Sequence, residues 1–354
     1  MRRRSDDWRF FARAEASATD LLEGVALSKA APKILTRSGF DAVVRELIGK
    51  LSGVTRGPDA AALRKGAKRL NVRWDNLTAA QRERVIVAAA AGLRAIPKII
   101  VPKVEEILKP NLARIVSATK AATASEHALV LVADLSAQDK RVVNFAASSQ
   151  GSYITDQYGE RATAYEKRAR DIVAKGLEKG LGRDDIGEML AEELTGPMLG
   201  RADSYWDVVA STHVARARAY GQIASYSDAG IEKYAISAAL DEVCCILCRF
   251  LNGKEFTVES SLDRYNEVED SDDPYAVTTM QPFLRVGSTD DGDRFLYVNG
   301  PGGKTHHVAD VLEDATGERD DDGRYGREAS EAKLQELGVS VPAHGRCRCL
   351  TVPV

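Results

Sequence analysis

Apolar residues recur at helical spacing through most of the first two thirds of the chain. Between residues 8 and 22, and again between 40 and 51, they fall on one side of a helical wheel. A longer run begins at Leu77 and reaches Leu93. Such spacing gives a helix one apolar face. The pattern returns after residue 160, where it predicts three further helices in succession.

Glycine and proline residues set the expected ends of these helices. Proline lacks the backbone N–H that a helix interior needs, so each proline is an expected stop. Ser204 and Asp207 have the spacing of a capping box that opens a new helix. The small polar run at 148–152 is the best linker candidate. Breaks are therefore expected at Gly57-Pro58, Pro97, Pro102, Pro110 and Thr195-Gly196-Pro197.

The helix expected after Ser204 has a well-defined inward stripe. His213 lies on this stripe, where a hydrogen-bonded core histidine is the default interpretation and a ligand or base the alternative. Arg216 and Arg218 fall off the stripe, so we expect them to be solvated. The stripe consists of Trp206, Ala210, His213, Ala217, Tyr220 and Ala224.

Short β-elements are expected towards the C-terminus. Residues 231–239 alternate as in a strand, and residues 295–298 form a second strand candidate. Asn252-Gly253 is a hairpin signal. Residues 328–337 predict a short helix, whereas the apolar run 128–133 suits either a strand or a buried helical turn. The predicted fold class is α+β, mainly helical in the N-terminal two-thirds, with a small C-terminal unit that contains β-strands.

Composition narrows the functional classes. The net charge of −3 gives no global basic field for nucleic acid. The most apolar window, 85–104, is interrupted by charges and prolines, so no membrane span is predicted. The basic residues 2–4 are followed by acids rather than an apolar run, which does not resemble a secretion signal. The cytoplasm, or a particle assembled there, is the expected location.

All five cysteines lie in two short segments that are far apart in sequence. Cys245 and Cys248 form a C-x-x-C pair, preceded by Cys244. Near the C-terminus, His344 precedes two further cysteines in an H-x-x-C-x-C pattern. Positions 249–343, 95 residues in all, separate the two segments. No other chemistry-bearing residues in the sequence are so unevenly distributed.

Thiolates and imidazoles are the ligands that tetrahedral zinc prefers. Cys245, Cys248, His344 and Cys347 would supply a Cys₃His set, and Cys349 could replace His344 or Cys347. A structural metal would offset the entropy of closing the long intervening loop. Disulfides, buried free thiols and a redox pair remain alternatives. The odd cysteine count argues against disulfides, and no βαβ pattern supports a redox motif.

The order of these motifs resembles the phage head morphogenesis domain of the bacteriophage Mu F-like minor head proteins. The resemblance covers roughly residues 160–258 and 340–354. It rests on a Gly-x-Asp-Asp-Ile helix start and on Ser211-Thr212 within the next helix. It rests most of all on Asp241 before C-x-x-C, combined with the terminal His-x-x-Cys-Arg-Cys. His213 departs from the family, which commonly has an acidic residue there.

This resemblance implies a structural role in a tailed phage or prophage. Such proteins act in head assembly and in DNA packaging or delivery, at the capsid interior or portal of the virion. Portal and major capsid proteins would be the partners, with contact to packaged DNA left open. The linker candidate places a boundary near residue 150, between a helical N-terminal region at 1–150, the candidate for contact with the portal or capsid, and a head morphogenesis domain at 151–354. Cys245, Cys248, His344, Cys347 and Cys349 would form its metal or structural cluster.

Residues 259–340 are predicted to be an acidic insertion in that domain. Its Asp290-Asp291-Gly292-Asp293 lacks the loop of a calcium site, so a solvated loop is expected. His306 and His307 would face opposite ways on a strand. An enzyme, such as a zinc hydrolase, nuclease or deaminase, is the alternative function, but no H-x-E or H-E-x-x-H motif occurs. A DNA-binding module is weakened by the net acidity. No small-molecule substrate is expected.

Overall fold

Five long helices form the body of the protein. The computed structural model describes residues 33–129, 134–241, 244–300, 303–314 and 323–354, without the side chains of 195–203. The apolar residues between 8 and 22, and most of the run 128–133, therefore lie outside the described residues. The helices are α1 (Arg37–Leu70), α2 (Ala79–Ala95), α3 (Pro97–Glu126), α4 (Ala137–Glu178) and α5 (Arg183–Asp228).

The helices begin where local chemistry favours a start. Thr78 and Ser136 cap α2 and α4 in complete capping boxes, with Gln81 and Asp139 as the reciprocal partners. Pro97 is the first residue of α3, where its missing N–H costs nothing. The predicted stop before Pro97 is confirmed, because α2 ends at Ala95.

The breaks expected at Gly57-Pro58, Pro102 and Pro110 are wrong. Pro58 lies inside α1, and both Pro102 and Pro110 lie inside α3. An interior proline costs a helix about 3 kcal/mol. Each fully buried aliphatic side chain returns about 1.5–3 kcal/mol. Tertiary packing therefore outweighs local propensity, because α3 buries Ile100, Val104, Leu108, Leu112, Ile115 and Val116.

The expected linker at 148–152 is also wrong, because these residues lie inside α4. A Cβ on Gly151 would stand 2.8 Å from Val101 Cγ1, so α3 and α4 approach closely here. Small residues in a row thus mark a helix–helix contact rather than a flexible connection. Helices on both sides of residue 150 contribute to one apolar core. The proposed boundary between residues 1–150 and 151–354 stays a prediction.

Helix α5 continues through Thr195-Gly196-Pro197 and past Ser204, so the expected break and restart are wrong. Its predicted stripe from Trp206 to Ala224 is confirmed as buried. Arg218 is only 2% exposed and Arg216 is half-buried, which contradicts the expectation that both are solvated. The cause is that α5 packs against α1, α3 and α4 and is covered on several sides.

A three-stranded antiparallel sheet lies at the C-terminal end of α5. Its order is β2-β1-β7, with β1 at Lys233–Ser237, β2 at Glu255–Thr257 and β7 at Leu350–Pro353. The predicted strand at 231–239 is confirmed by β1. The hairpin at Asn252-Gly253 is wrong, since this turn joins the short helix α6 (Ile246–Leu251) to β2. Gly253 supports that turn with a φ of 77°.

The predicted insertion contains helices and a second sheet. Its helices are α7 (Val258–Glu269), α8 (Ala276–Met280) and α9 (Glu331–Glu336). Its antiparallel sheet has the order β3 (Arg285–Ser288), β4 (Arg294–Asn299), β5 (Thr305–Glu313) and β6 (Arg324–Gly326). The expected strand at 295–298 and the short helix before Gly338 are confirmed. The fold is α+β and mainly helical, as predicted.

The stretch Ala79–Glu126 is apolar enough to cross a membrane by length and composition alone. It comprises α2 and α3, which are separated by a turn at Ile96. Core helices of globular proteins pass the same test, and 39% of the apolar window is buried here. The absence of a membrane span therefore stays a prediction.

Candidate metal centre

Pairing of β1 with β7 brings the two cysteine segments together. Ser237, at the end of β1, lies opposite Leu350, the first residue of β7. The C-x-x-C segment follows β1 by a few residues, and the H-x-x-C-x-C segment directly precedes β7. An antiparallel pair places the end of one strand beside the start of the other. The sheet register therefore positions both halves of the cluster at the same end of these two strands.

Each segment turns its ligand side chains towards the other. Cys245 immediately precedes α6 and Cys248 lies in its first turn, so their thiols share one side. In the tail, Cys347 N donates to His344 O over 3.2 Å, which closes a similar turn. His344 Nε2 lies 3.1 Å from both Cys245 Sγ and Cys248 Sγ. Cys248 Sγ lies 3.8 Å from Cys347 Sγ.

The donor atoms form two overlapping groups that share Cys248. Cys245, Cys248 and His344 make one group, and Cys248, Cys347 and Cys349 make the other. Within each group all donor atoms lie within 4.8 Å of one another. Sulfurs bound to one tetrahedral zinc at about 2.3 Å would be about 3.8 Å apart. The set is thus close enough to hold a metal ion.

The cysteines form no disulfide, and all five are free thiols. A hydrogen bond from Cys248, with His344 nearby, lowers the pKa of Cys245 to about 4. Hydrogen bonding with Cys244, followed by that with Cys245 and Cys347, raises the pKa of Cys248. Hydrogen bonds from Cys248 also lower the pKa of Cys347. Cys245 and Cys347 are therefore the thiols that favour the thiolate, the form of cysteine that binds metals.

An ion pair at Asp241 fastens the two segments beside the cluster. Arg348 donates to both carboxylate oxygens of Asp241, over 2.9 and 2.8 Å. Arg37, at the start of α1, donates to Oδ2 over 2.8 Å. Arg249 adds a hydrogen bond of 3.0 Å to the backbone carbonyl of Asp241. A bidentate arginine–carboxylate pair fixes geometry as well as charge, so Asp241 orients the tail.

One face of α5 holds the tail backbone. The buried Arg218 Nη2 donates to the carbonyls of Arg348 and Cys349, over 2.9 and 3.1 Å. One turn later, Gln222 bonds both the N–H and the C=O of Thr351. Tyr226 donates its hydroxyl to that same carbonyl over 2.7 Å. Residues four apart share a helix face, so α5 presents one polar track to the tail.

Little space exists beside the cluster. The void bordered by Cys244, Cys245, Cys248, His344 and Cys349 has a volume of about 20 Å³. That is room for about one water molecule. Cys347 and Cys349 are buried, and Cys248 is only 5% exposed. A metal ion here would lie against three buried thiols, whereas Cys245 and His344 are half-buried.

The structure places all five predicted site residues in this cluster, and it places His213 outside it. Cys244 belongs to neither donor group among the described residues. His306 and His307 lie on β5, where His307 instead pairs with Asp310 over 2.7 Å. Asp290–Asp293 form the exposed turn between β3 and β4, as expected.

The residues that hold the tail were missed. The sequence signal for this polar track is the four-residue spacing of Arg218, Gln222 and Tyr226 along an alanine-rich helix. The role of β7 was missed too, because four residues after a cysteine cluster show no readable alternation.

Comparison of this chain with protein-family models, with curated proteins and with solved structures finds no match to any of them.

Proposed function

We propose that the Cys/His cluster holds one structural zinc ion. Cys245, Cys248, His344 and Cys347 would be its ligands, with Cys349 as a neighbouring thiol able to replace one of them. Three sulfurs and an imidazole suit zinc better than calcium or magnesium, which prefer oxygen. A bound zinc ion supplies a cross-link between two segments that are distant in the sequence.

A structural role is favoured over a catalytic one by the enclosure of the site. A catalytic zinc keeps an open position for water and substrate. Here the adjoining void is about 20 Å³, and the donors outnumber the four positions of a tetrahedral ion. The ion pair between Asp241 and Arg348 satisfies the carboxylate that precedes the C-x-x-C pair, which leaves it unsuited to act as a base.

We further propose that the protein is a minor head protein of a tailed phage or prophage, related to the Mu F-like family. It would act with the portal or major capsid protein in head assembly and DNA packaging or delivery. The observation that carries this proposal is the convergence of D-x-x-x-C-x-x-C with the terminal H-x-x-C-R-C. These are the segments on which the resemblance rests, and they meet at one cluster beside β1 and β7.

Metal analysis of protein purified under reducing conditions tests the zinc site. About one zinc ion per chain is expected, and Cys248→Ser should abolish it because Cys248 belongs to both donor groups. Cys244→Ser is the matched control and should retain the metal. Protein without zinc after reconstitution with the ion would reject the site and leave the assembly proposal standing.

Co-expression with the portal protein encoded in the same genome tests the assembly role. A complex that survives size-exclusion chromatography is expected. If no complex forms with either portal or major capsid protein, the assembly proposal fails. Metal-dependent turnover of nucleic acid by the purified chain, lost in Cys248→Ser but kept in Cys244→Ser, would establish the enzyme alternative instead.

A further inference from the structure

A cavity of about 560 Å³ lies between α3, α4, α5 and the first two helices of the insertion. Sites for small ligands commonly have volumes of about 300–1,000 Å³. The cavity shares no lining residue with the metal cluster among the described residues. Neither zinc binding nor head assembly accounts for it.

The walls of this cavity are mainly apolar. Valines, alanines and aromatic side chains from α3, α4 and α5 line one side. Tyr265, Val268 and Val277 of α7 and α8 line the other, followed by Phe283. The predicted insertion therefore builds one wall. An apolar surface of this kind favours a ligand with an apolar body.

Arg216 is the polar group that sets the ligand's charge. It is half-buried on α5, and its guanidinium carbon lies 5.1 Å from the centre of the Phe283 ring. No carboxylate lies within ion-pair distance of Arg216 among the described residues. A cation beside an apolar cavity, without a counter-ion, is costly unless an anion approaches it.

The other charged lining group has a counter-ion, although one of its oxygens, the buried Glu269 Oε2, has no hydrogen-bond partner among the described residues. Glu269, the single carboxylate lining the described cavity, pairs with Arg141 Nε over 2.9 Å. His213 Nε2 is hydrogen-bonded to Gln150 Oε1 over 2.9 Å. Burial, helped by the positive charge of Arg216, lowers the pKa of His213 to about 3, so it is neutral at pH 7. Among the described residues, Glu269 thus has a counter-ion and Arg216 has none.

A second observation supports an occupant. Tyr265, which lines the cavity, is 6% exposed, and its hydroxyl has no hydrogen-bond partner within the described part of the chain. Buried hydroxyls are almost always hydrogen-bonded, so a missing partner is unusual. Because this hydroxyl oxygen is itself buried, an occupant would satisfy it only after a small shift of the neighbouring side chains.

We propose that this cavity binds an amphipathic carboxylate of the fatty-acid class, with the acyl chain in the apolar cavity and the carboxylate paired with Arg216. Arginine is well suited to bind a carboxylate, because its planar guanidinium donors match the two carboxylate oxygens. The ligand would be a bound molecule that fills the space between α5 and the insertion, with no bond made or broken.

Calorimetric titration of the full chain with twelve-carbon probes, below their micelle concentrations, tests the proposal. Dodecanoate should bind about tenfold to 100-fold more tightly than dodecanol, since a charge-assisted hydrogen bond is worth about 1.5–3 kcal/mol. Dodecyltrimethylammonium should bind more weakly than dodecanol. Equal affinity for dodecanoate and dodecanol, or no binding of dodecanoate, would overturn the proposal.

Two variants with matched controls locate the site. Arg216→Gln should remove the preference for dodecanoate over dodecanol, whereas Arg45→Gln, at an exposed position on α1, should keep it. Ala146→Phe should fill part of the cavity and weaken both probes by about tenfold. Ala174→Phe, at an exposed position on the same helix, should leave both affinities unchanged. Dodecanoate binding unchanged by both Arg216→Gln and Ala146→Phe places the ligand elsewhere and rejects the proposal.

Discussion

Replacing Arg218 by methionine should loosen the C-terminal strand. Methionine keeps the apolar stem but removes the donor to the carbonyls of Arg348 and Cys349. Each buried carbonyl left without a partner costs about 1–3 kcal/mol. Loss of the contact between the guanidinium and the Phe40 ring, 4.3 Å away, adds about 1–2 kcal/mol.

Relief of a buried charge offsets part of this cost. Burial lowers the pKa of Arg218 to about 10, so the side chain still carries its charge at pH 7. Its Nε has no hydrogen-bond partner among the described residues, which makes the present arrangement less than optimal. We expect a net loss of about 3 kcal/mol, and about 1.4 kcal/mol corresponds to a factor of ten.

Hydrogen exchange of the β7 amides measures this loss directly. A decrease of about 3 kcal/mol in the free energy of opening should speed exchange about 100-fold. Arg64→Met, at an exposed position on α1, is the control and should exchange like the unchanged protein. If β7 in Arg218→Met exchanges as slowly as in that control, the reasoning that α5 anchors the tail is refuted.

Two further predictions concern the helical body. Gly221→Ala should lower the free energy of unfolding by about 1–3 kcal/mol, because its Cβ would stand 2.9 Å from Thr119 Cβ. Gly159→Ala is the control: a Cβ there would meet nothing within 4 Å, so this variant should raise the free energy of unfolding by about 0.5–1 kcal/mol. Urea unfolding checks both, and equal effects would contradict the close packing of α3 against α5. Asp139→Asn should cost about 3 kcal/mol by leaving Lys120 partly unpaired at a buried site. Burial opposes the charge of Lys120, but its acidic partners raise its pKa overall. The stabilisation from this ion pair is therefore present below pH 10.5 and is lost as the pH rises through the raised pKa. Unfolding measured from pH 8 to 12 checks this trend, and a rise in stability over that range would contradict it.

The apolar period predicted the helices well and their ends poorly. Spacing along α5 identified its buried stripe because burial and period report the same face. Pro102 and Pro197 were read as stops, since proline is costly in an isolated helix. Whether the helix continues through a proline depends on whether tertiary packing offsets that cost. The residues that provide this packing are remote in the sequence. For the same reason the small residues at 148–152 looked like a linker.

The Cys/His cluster could be predicted because all five cysteines of the chain lie in two short segments. Five cysteines confined to two segments predict a shared site however far apart the segments lie in the sequence. The sequence does not show which contacts bring the two segments together. The joining depends on β7 pairing with β1 and on Arg218 reaching the tail carbonyls. Arg218 was assigned to solvent because the tail, which covers it, is more than a hundred residues further along the chain. The apolar cavity was invisible for a similar reason, since its walls come from five separate helices.

The separation of 96 residues between Cys248 and His344 affects how the protein is made. At about 5–20 residues per second, a ribosome needs about 5–20 seconds to extend the chain from one to the other. During that interval the first thiols have been synthesised while the rest of their ligand set has not. Completion of the cluster therefore trails synthesis of its first thiols by that interval, during which a reducing environment would keep them from oxidation.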